Sequence, residues 1–189
     1  MKNMLDDEAA GTAALLFEVG TLKLTPRTGW LHAQVRHPES IAEHSHRVSL
    51  ISAILAALEG ADPGRAALMG TLHDTQESRL GDISHVGKAY VKTVKNEQVT
   101  ADQTSTAAPV VATMIGDAVA EYEAQETPES RVAKDADKLE CLLQALEYQR
   151  AGNQNVQAWV DSSRAALKTA AALQIADAAM NMTGLEWRQ

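Results

Sequence analysis

Between Ser40 and Leu58 the chain repeats Ile41, His44, Val48, Ile51, Leu55 and Leu58 at alternating spacings of three and four. That is the period of an α-helix with one buried face. His44 sits in a slot the pattern reserves for apolar residues. Ser40 and Glu43 stand at capping-box spacing at the start of the same helix. Nowhere do β-branched and aromatic residues gather into the runs that mark strands, and 33 alanines against five prolines lean the whole chain toward helix. The expected fold class is all-α.

A first helix is expected from Glu8 to Leu22, with Leu15, Leu16, Val19 and Leu22 on one face, ending before the turn-like run Thr25 to Gly29. A loop reaching Pro38 follows. Asp62 as cap and Pro63 at the first helical position open a helix that should run to Leu80, where Gly81 stops it. Residues His85 to Asp102 are charged and weakly periodic, and are expected to be partly helical and partly a loop over whatever the preceding helix presents. Two helices should follow, Ala108 to Ala124 and Pro128 to Arg150, and a last one should span Val156 to Met180. No internal repeat or linker divides the chain, so a single domain, 1–189, is expected.

One cysteine, Cys141, excludes an intrachain disulfide and any zinc site built from paired cysteines. It suits a reducing compartment. The opening MKNMLDDEAAGTAALLF puts acidic residues where a secretory signal wants positive charge, so the cytoplasm is expected. The apolar stretch Ile51 to Leu58 is far shorter than the roughly 20 residues a spanning helix needs, and no membrane association is expected. With 25 acidic against 17 basic residues, a net charge of -8, a footprint on a nucleic acid polymer is not expected either. A small phosphorylated ligand stays open through a local basic pocket.

The chemistry gathers in three segments: EHSHR at Glu43 to Arg47, HDTQE at His73 to Glu77, and KDADKLE at Lys134 to Glu140. Each falls on an expected helix. Neutral imidazole and carboxylate together suit one divalent transition metal ion (Mn, Co, Fe, Ni or Zn), and a mixed shell with open positions is what hydrolysis needs. Taken singly each segment has a plainer reading, since a lone histidine on an apolar face is more often core than ligand.

The ordered set LKLTPRTGW (Leu22 to Trp30), ESIAEHSHR (Glu39 to Arg47), HDTQESRLGDI (His73 to Ile83) and KDADKLECLLQALEY (Lys134 to Tyr148) resembles the HD-domain metal-dependent phosphohydrolases. Within them it is most similar to the 5'-deoxynucleotidase-like branch. The resemblance covers most of the chain and implies a compact HD-domain helical bundle with one ion held by His44, His73, Asp74 and Asp137. Residues two apart on a helix point about 200° apart, so Asp135 and Asp137 cannot both face that ion. Asp137, with Ala133 and Cys141 a turn away on either side, is read as having the drier neighbourhood, and Asp135, beside Arg131 and Leu139, as a surface or supporting carboxylate.

Glu77 lies four residues after His73 and three after Asp74, hence on the same helical face and one turn along. The resemblance implies that Glu77 and Asp82 activate water or protonate the leaving group. It also implies that the RTGW segment lies at the substrate pocket, where Arg27 offers a guanidinium to phosphate and Trp30 a flat ring to base or sugar. Lys88, on the loop leaving that helix end, is a further phosphate candidate. A turn arginine, a core tryptophan and an exposed helix charge are the plainer readings of Arg27, Trp30 and Glu77. Arg47 suits a structural ion pair.

Three functions follow from these expectations. The first is a 5'-nucleotidase releasing phosphate from (deoxy)nucleoside 5'-monophosphates. The second, on the same metal site, is a deoxynucleoside triphosphate triphosphohydrolase, for which Lys88, Lys92 and Lys95 would supply the added charge. The third is a non-catalytic nucleotide-binding sensor, against which the presence of Glu77 and Asp82 argues. The resemblance also implies a homodimer.

Overall fold

The computed structural model describes residues 7–188. Part of the N-terminal reading above, and the outermost limits of the single domain, lie outside the described residues. The helices are α1 (Glu8–Gly20), α2 (Gly29–His32), α3 (Ile41–Glu59), α4 (Pro63–Leu72), α5 (Glu77–Leu80), α6 (Asn96–Thr104), α7 (Pro109–Ala124), α8 (Pro128–Arg150), α9 (Gln157–Ala166) and α10 (Ala170–Met180). Among the described residues there is no strand, only an isolated antiparallel bridge between Pro26 and Ser40. The all-α expectation therefore holds.

The bundle is organised around α8, which packs against α3, α4, α7, α9 and α10. Its apolar residues Val132, Ala136, Leu139, Leu142, Ala145 and Leu146 join Val48, Ile51 and Leu55 of α3 in one core. α3 begins as its capping box requires: Glu43 N–H donates to Ser40 Oγ at 3.2 Å, and Ser40 N–H to the Glu43 carboxylate at 2.6 Å. It ends at Gly60, whose φ of 75° lies in the left-handed region that glycine occupies without steric cost. Asp62 then caps α4 through the Gly64 and Arg65 amides, with Pro63 at the first helical position.

α4 crosses α3 at Gly70. A Cβ there would lie 2.6 Å from Ser52 Oγ, 3.0 Å from Ser49 Cα and 3.1 Å from Val48 O, so only glycine permits this approach. The crossing sets how closely the end of α4 comes to His44.

The structure corrects five expectations. The helix from Asp62 does not run to Leu80 but stops at Leu72, and residues 73–76 form tight turns before α5. His73 Nδ1 and Thr75 Oγ1 take the carbonyls of Gly70 and Leu72, and Glu77 N–H bonds Asp74 O at 3.1 Å in a three-residue step. The expected last helix is broken into α9 and α10. The cause is Asp135, whose Oδ2 accepts from the Lys168 amide at 2.9 Å, the Thr169 amide at 2.6 Å and the Thr169 hydroxyl at 2.7 Å, capping α10 from another helix. Asp135 is consequently 2% exposed against 7% for Asp137, so the dryness argument between them fails. α8 is covered on nearly all sides, and direction separates the two carboxylates where burial does not. The segment expected to be a loop up to Pro38 also contains the short α2, and the first helix ends in a 3-10 turn, Thr21–Lys23.

The α3–α4 crossing generates a stability prediction. Gly70→Ala should lower unfolding free energy in urea by about 1–3 kcal/mol. Gly116→Ala, mid-α7 with nothing within 4 Å of an added Cβ, should instead stabilise by up to about 1 kcal/mol.

Candidate active site

α3, the turn after α4 and α8 bring four side chains together in the interior. His44 Nε2 lies 3.3 Å from His73 Nε2, 3.4 Å from Asp137 Oδ1 and 3.7 Å from Asp74 Oδ2, and His73 Nε2 lies 3.1 Å from Asp74 Oδ2. Both imidazoles are buried. Their other nitrogens are engaged: His73 Nδ1 faces the Gly70 carbonyl at 2.9 Å, and His44 Nδ1 bonds the Glu140 carboxylate. With the ring protons at Nδ1, both Nε2 atoms present lone pairs.

In that tautomer His44 Nε2, His73 Nε2 and Asp74 Oδ2 turn acceptors toward one another with Asp137 Oδ1 beside His44, an arrangement that a divalent cation satisfies. His44, His73 and Asp74 place their ligand atoms within 4.8 Å of one another, a geometry able to hold a metal ion. Burial and Arg27 oppose a charge on His44, but Asp137 and Glu140 outweigh them and raise its pKa to about 9. A cluster that draws a proton onto a buried imidazole carries excess negative charge, and the donor set fits a divalent ion.

The surrounding groups tune this cluster. Burial works against ionisation of Asp74, yet His73, Arg27 and His44 hold its carboxyl well below the usual range. Arg27 Nη1 lies 3.2 Å from Asp74 Oδ2. Burial disfavours its charge, while Asp74, Asp137 and Asp82 hold the guanidinium protonated. Glu77 is pushed up to about 9, first by burial and then by Asp74 and Asp82, and its Oε2 is buried with no hydrogen-bond partner among the described residues. Asp82 is differently placed: its Oδ2 accepts from the Thr28 amide and hydroxyl, fastening the RTGW segment to the turn after Gly81.

Arg27, His73, Asp74, Glu77, Asp82 and Asp137 line a cavity of about 1000 Å³ that also reaches Lys88, Trp159, Lys134 and Lys138. Trp30 touches it but is 2% exposed, packed against Tyr148 and Trp159 at centroid distances of 5.2 and 5.7 Å, with Nε1 donating to Glu39 at 3.0 Å. Its ring is chiefly a core anchor, and Trp159 is the more accessible indole of the wall. Lys88 is exposed at the rim, and Lys92 and Lys95 do not line the cavity. His46 and His37 are exposed and away from it, while His32 bonds Ser84 Oγ at 3.0 Å on its wall and His85 is exposed at its edge.

Sequence reasoning missed Glu140. This carboxylate is fully buried, bonds His44 Nδ1, and accepts from Arg47 Nε at 3.0 Å and Nη2 at 2.8 Å. Its place one turn after Asp137 was a readable signal, because carboxylates commonly orient ligating imidazoles from behind. Lys138, whose Nζ lies 2.9 Å from Asp137 Oδ2, was missed as well.

The HD domain family profile matches residues 19–177. The chain belongs to the HD domain family. The chain is 34% identical to a 5'-deoxynucleotidase of Schizosaccharomyces pombe over 138 residues, covering 70% of this chain and 69% of that protein. It is also 34% identical to a 5'-deoxynucleotidase of Xenopus laevis over 145 residues, covering 75% and 72%. Among solved structures, a conserved hypothetical protein from Pyrococcus furiosus matches with a TM-score of 0.72 at 27% identity, over 89% of this chain and 98% of that one. A Pyrococcus horikoshii protein gives 0.71 at 28%, over 88% and 97%. Among the described residues no helix of this HD domain is long and apolar enough to cross a membrane.

The buried carboxylate behind His44 yields a second prediction. Arg47→Ala removes the fork that neutralises Glu140, and should lower stability in urea by about 3 kcal/mol, the scale for stranding a buried charge. An unchanged midpoint would mean that the pair contributes nothing net.

Proposed function

We propose that this HD domain is a metal-dependent phosphomonoesterase that releases inorganic phosphate from deoxynucleoside 5'-monophosphates. The observation that carries this reading is the convergence of His44, His73, Asp74 and Asp137 beside a buried carboxyl, Glu77, that keeps one oxygen free. The relatives named 5'-deoxynucleotidases support the substrate class. His44, His73, Asp74 and Asp137 would hold one divalent ion, with Mn, Co, Fe, Ni and Zn all suited to imidazole and carboxylate. When bound, such an ion supplies Lewis acidity toward a phosphoryl oxygen and toward water.

The chain's own groups perform the remaining work in this reading. Arg27, held by Asp74 through one nitrogen, has further N–H groups to bind phosphate oxygens from the cavity side. Glu77 exchanges protons with the attacking water or the leaving 5'-oxygen, since burial beside Asp74 and Asp82 makes its carboxyl hold a proton that a neighbouring divalent charge would help it release. Asp82 is the second acid/base candidate, although its hold on Thr28 also orients Arg27's segment. Trp30 and Trp159 wall the side on which base or sugar would lie, and Lys88 reaches the phosphate from the rim. Because Lys92 and Lys95 stay outside the cavity, a monophosphate is favoured over a triphosphate. The free oxygen of Glu77 favours catalysis over a sensor role. The reading includes a homodimer in the cytoplasm, supported by the exposed α3 stripe Leu50, Ile54 and Leu58.

A screen of nucleotides against divalent metals tests the whole proposal, with phosphate rather than triphosphate as the expected product. Alanine at His44, His73, Asp74 or Asp137 should remove most bound metal by elemental analysis, because each deletion takes one donor from a small shell. Asp135→Asn should keep it. Metal retained in Asp137→Ala and lost in Asp135→Asn would reverse the ligand assignment.

Glu77→Gln should keep metal and fold but lower kcat about 100-fold. Arg27→Ala should mainly raise KM, since a charged clamp acts on the bound ground state as well as on the transition state. Parent turnover in metal-loaded Glu77→Gln would remove Glu77 from the chemistry.

A further inference from the structure

Tyr122, on α7, is 2% exposed, and its hydroxyl has no hydrogen-bond partner among the described residues. A buried hydroxyl left unpaired destabilises the free protein relative to phenylalanine at the same place. The side chain is not sealed in the core, because it forms part of the wall of the cavity that contains the acceptor cluster. Its ring stands beside His73, with 5.5 Å between centroids.

Lys134, on α8, holds its Nζ 4.7 Å from the centre of the Tyr122 ring and lines the same cavity. Among the described residues Lys134 has no carboxylate within ion-pair distance, whereas Lys138, one turn further on, is occupied by Asp137 at 2.9 Å. Among the described residues a phenolic O–H without a hydrogen-bond partner, beside His73, and an ammonium group whose one close contact is the Tyr122 ring therefore stand together on this wall. Acceptors crowd the centre of the cavity and unspent donors stand on this wall. The ligand complementary to such a wall is an anion rich in oxygen.

We propose that Tyr122 and Lys134 form an anion-binding wall of the active site, in which the Tyr122 hydroxyl donates to a non-bridging phosphoryl oxygen and Lys134 supplies positive charge to the same group. This inference rests on the phosphomonoesterase reading for the identity of the ligand and extends it to Tyr122, outside the sequence motifs, and to Lys134, the first residue of the third. No proton is transferred at this wall. Tyr122 binds the phosphoryl group before and after the ester bond breaks, so free inorganic phosphate should occupy the wall as well.

The test is calorimetric titration of inorganic phosphate into the manganese-loaded protein, comparing the parent with Tyr122→Phe and Lys134→Gln, with metal content and thermal melting measured on each. Tyr122→Phe should bind phosphate roughly tenfold more weakly, the scale of a lost hydrogen bond to a charged group. Its metal content should match the parent, and its melting temperature should be equal or higher, because the deleted hydroxyl had no partner to lose. Lys134→Gln should weaken phosphate similarly, and most at low salt.

Parent-level phosphate affinity in both variants overturns the proposal, as does a parent that binds no phosphate. A Tyr122→Phe protein that has lost its metal also overturns it, since the residue would then support the cluster rather than the anion. If the parent binds phosphate and Tyr122→Phe weakens it, yet no nucleotide yields phosphate, the wall stands and the phosphomonoesterase reading falls. If nucleotides yield phosphate and neither variant changes its binding, the reading stands and the wall falls.

Discussion

Two imidazole nitrogens face each other at 3.3 Å in the interior of this bundle, with two carboxylates beside them. In a medium of low polarity the carboxylates of such a cluster repel each other unless positive charge stands among them. The surrounding structure makes sense as what is needed to keep it assembled. Arg27 and Lys138 balance Asp74 and Asp137 from outside, and Glu140 pins the far nitrogen of His44. Arg47 in turn holds Glu140 through two nitrogens. Each layer neutralises the one within it and leaves the centre for a cation.

Backbone geometry supplies the positions. Gly70 lets α4 lie against α3 without an intervening side chain. The helix then gives way at residues 73–76 to turns in which His73 and Thr75 capture carbonyls of the preceding turn. That tightening carries Asp74 and Glu77 round to the same cavity by three-residue steps, which a continuous helix would not do in the same way. On the other side Asp135 and Asp137, two residues apart on α8, divide the work: one caps α10 and closes the bundle, the other joins the cluster. A single helix thus couples the integrity of the fold to the shape of the site.

Much of this was legible in the chain. The spacing of Ile41, Val48, Ile51 and Leu55 marked the buried face of α3 and set His44 apart on it, because helical period and burial are local consequences of sequence. The caps at Ser40 and Asp62 were equally local, and the structure forms both. Less legible was the helix break after Leu72, since His73 and Thr75 are compatible with a helix interior and only their side-chain bonds turn the backbone. Trp30 could be read either as a ring for a base or as an anchor, and its neighbours Tyr148 and Trp159 come from segments more than a hundred residues away.

The sequence by itself determined the all-helical class, the main buried faces and the three segments in which imidazoles and carboxylates collect. These follow from periodicity, capping and residue chemistry, which act over a few residues. Tertiary structure decided which of those groups meet. Asp135 and Asp137 are both buried and both acidic, and only the placement of α10 against one and of His44 against the other gives them different partners. Tyr122 carried no local mark of its role, and Glu140 only its place one turn after Asp137. Their meaning arises from what α3, α7 and α8 bring within reach, because a hydrogen bond or an ion pair needs a partner at a few ångströms and sequence distance says nothing about that.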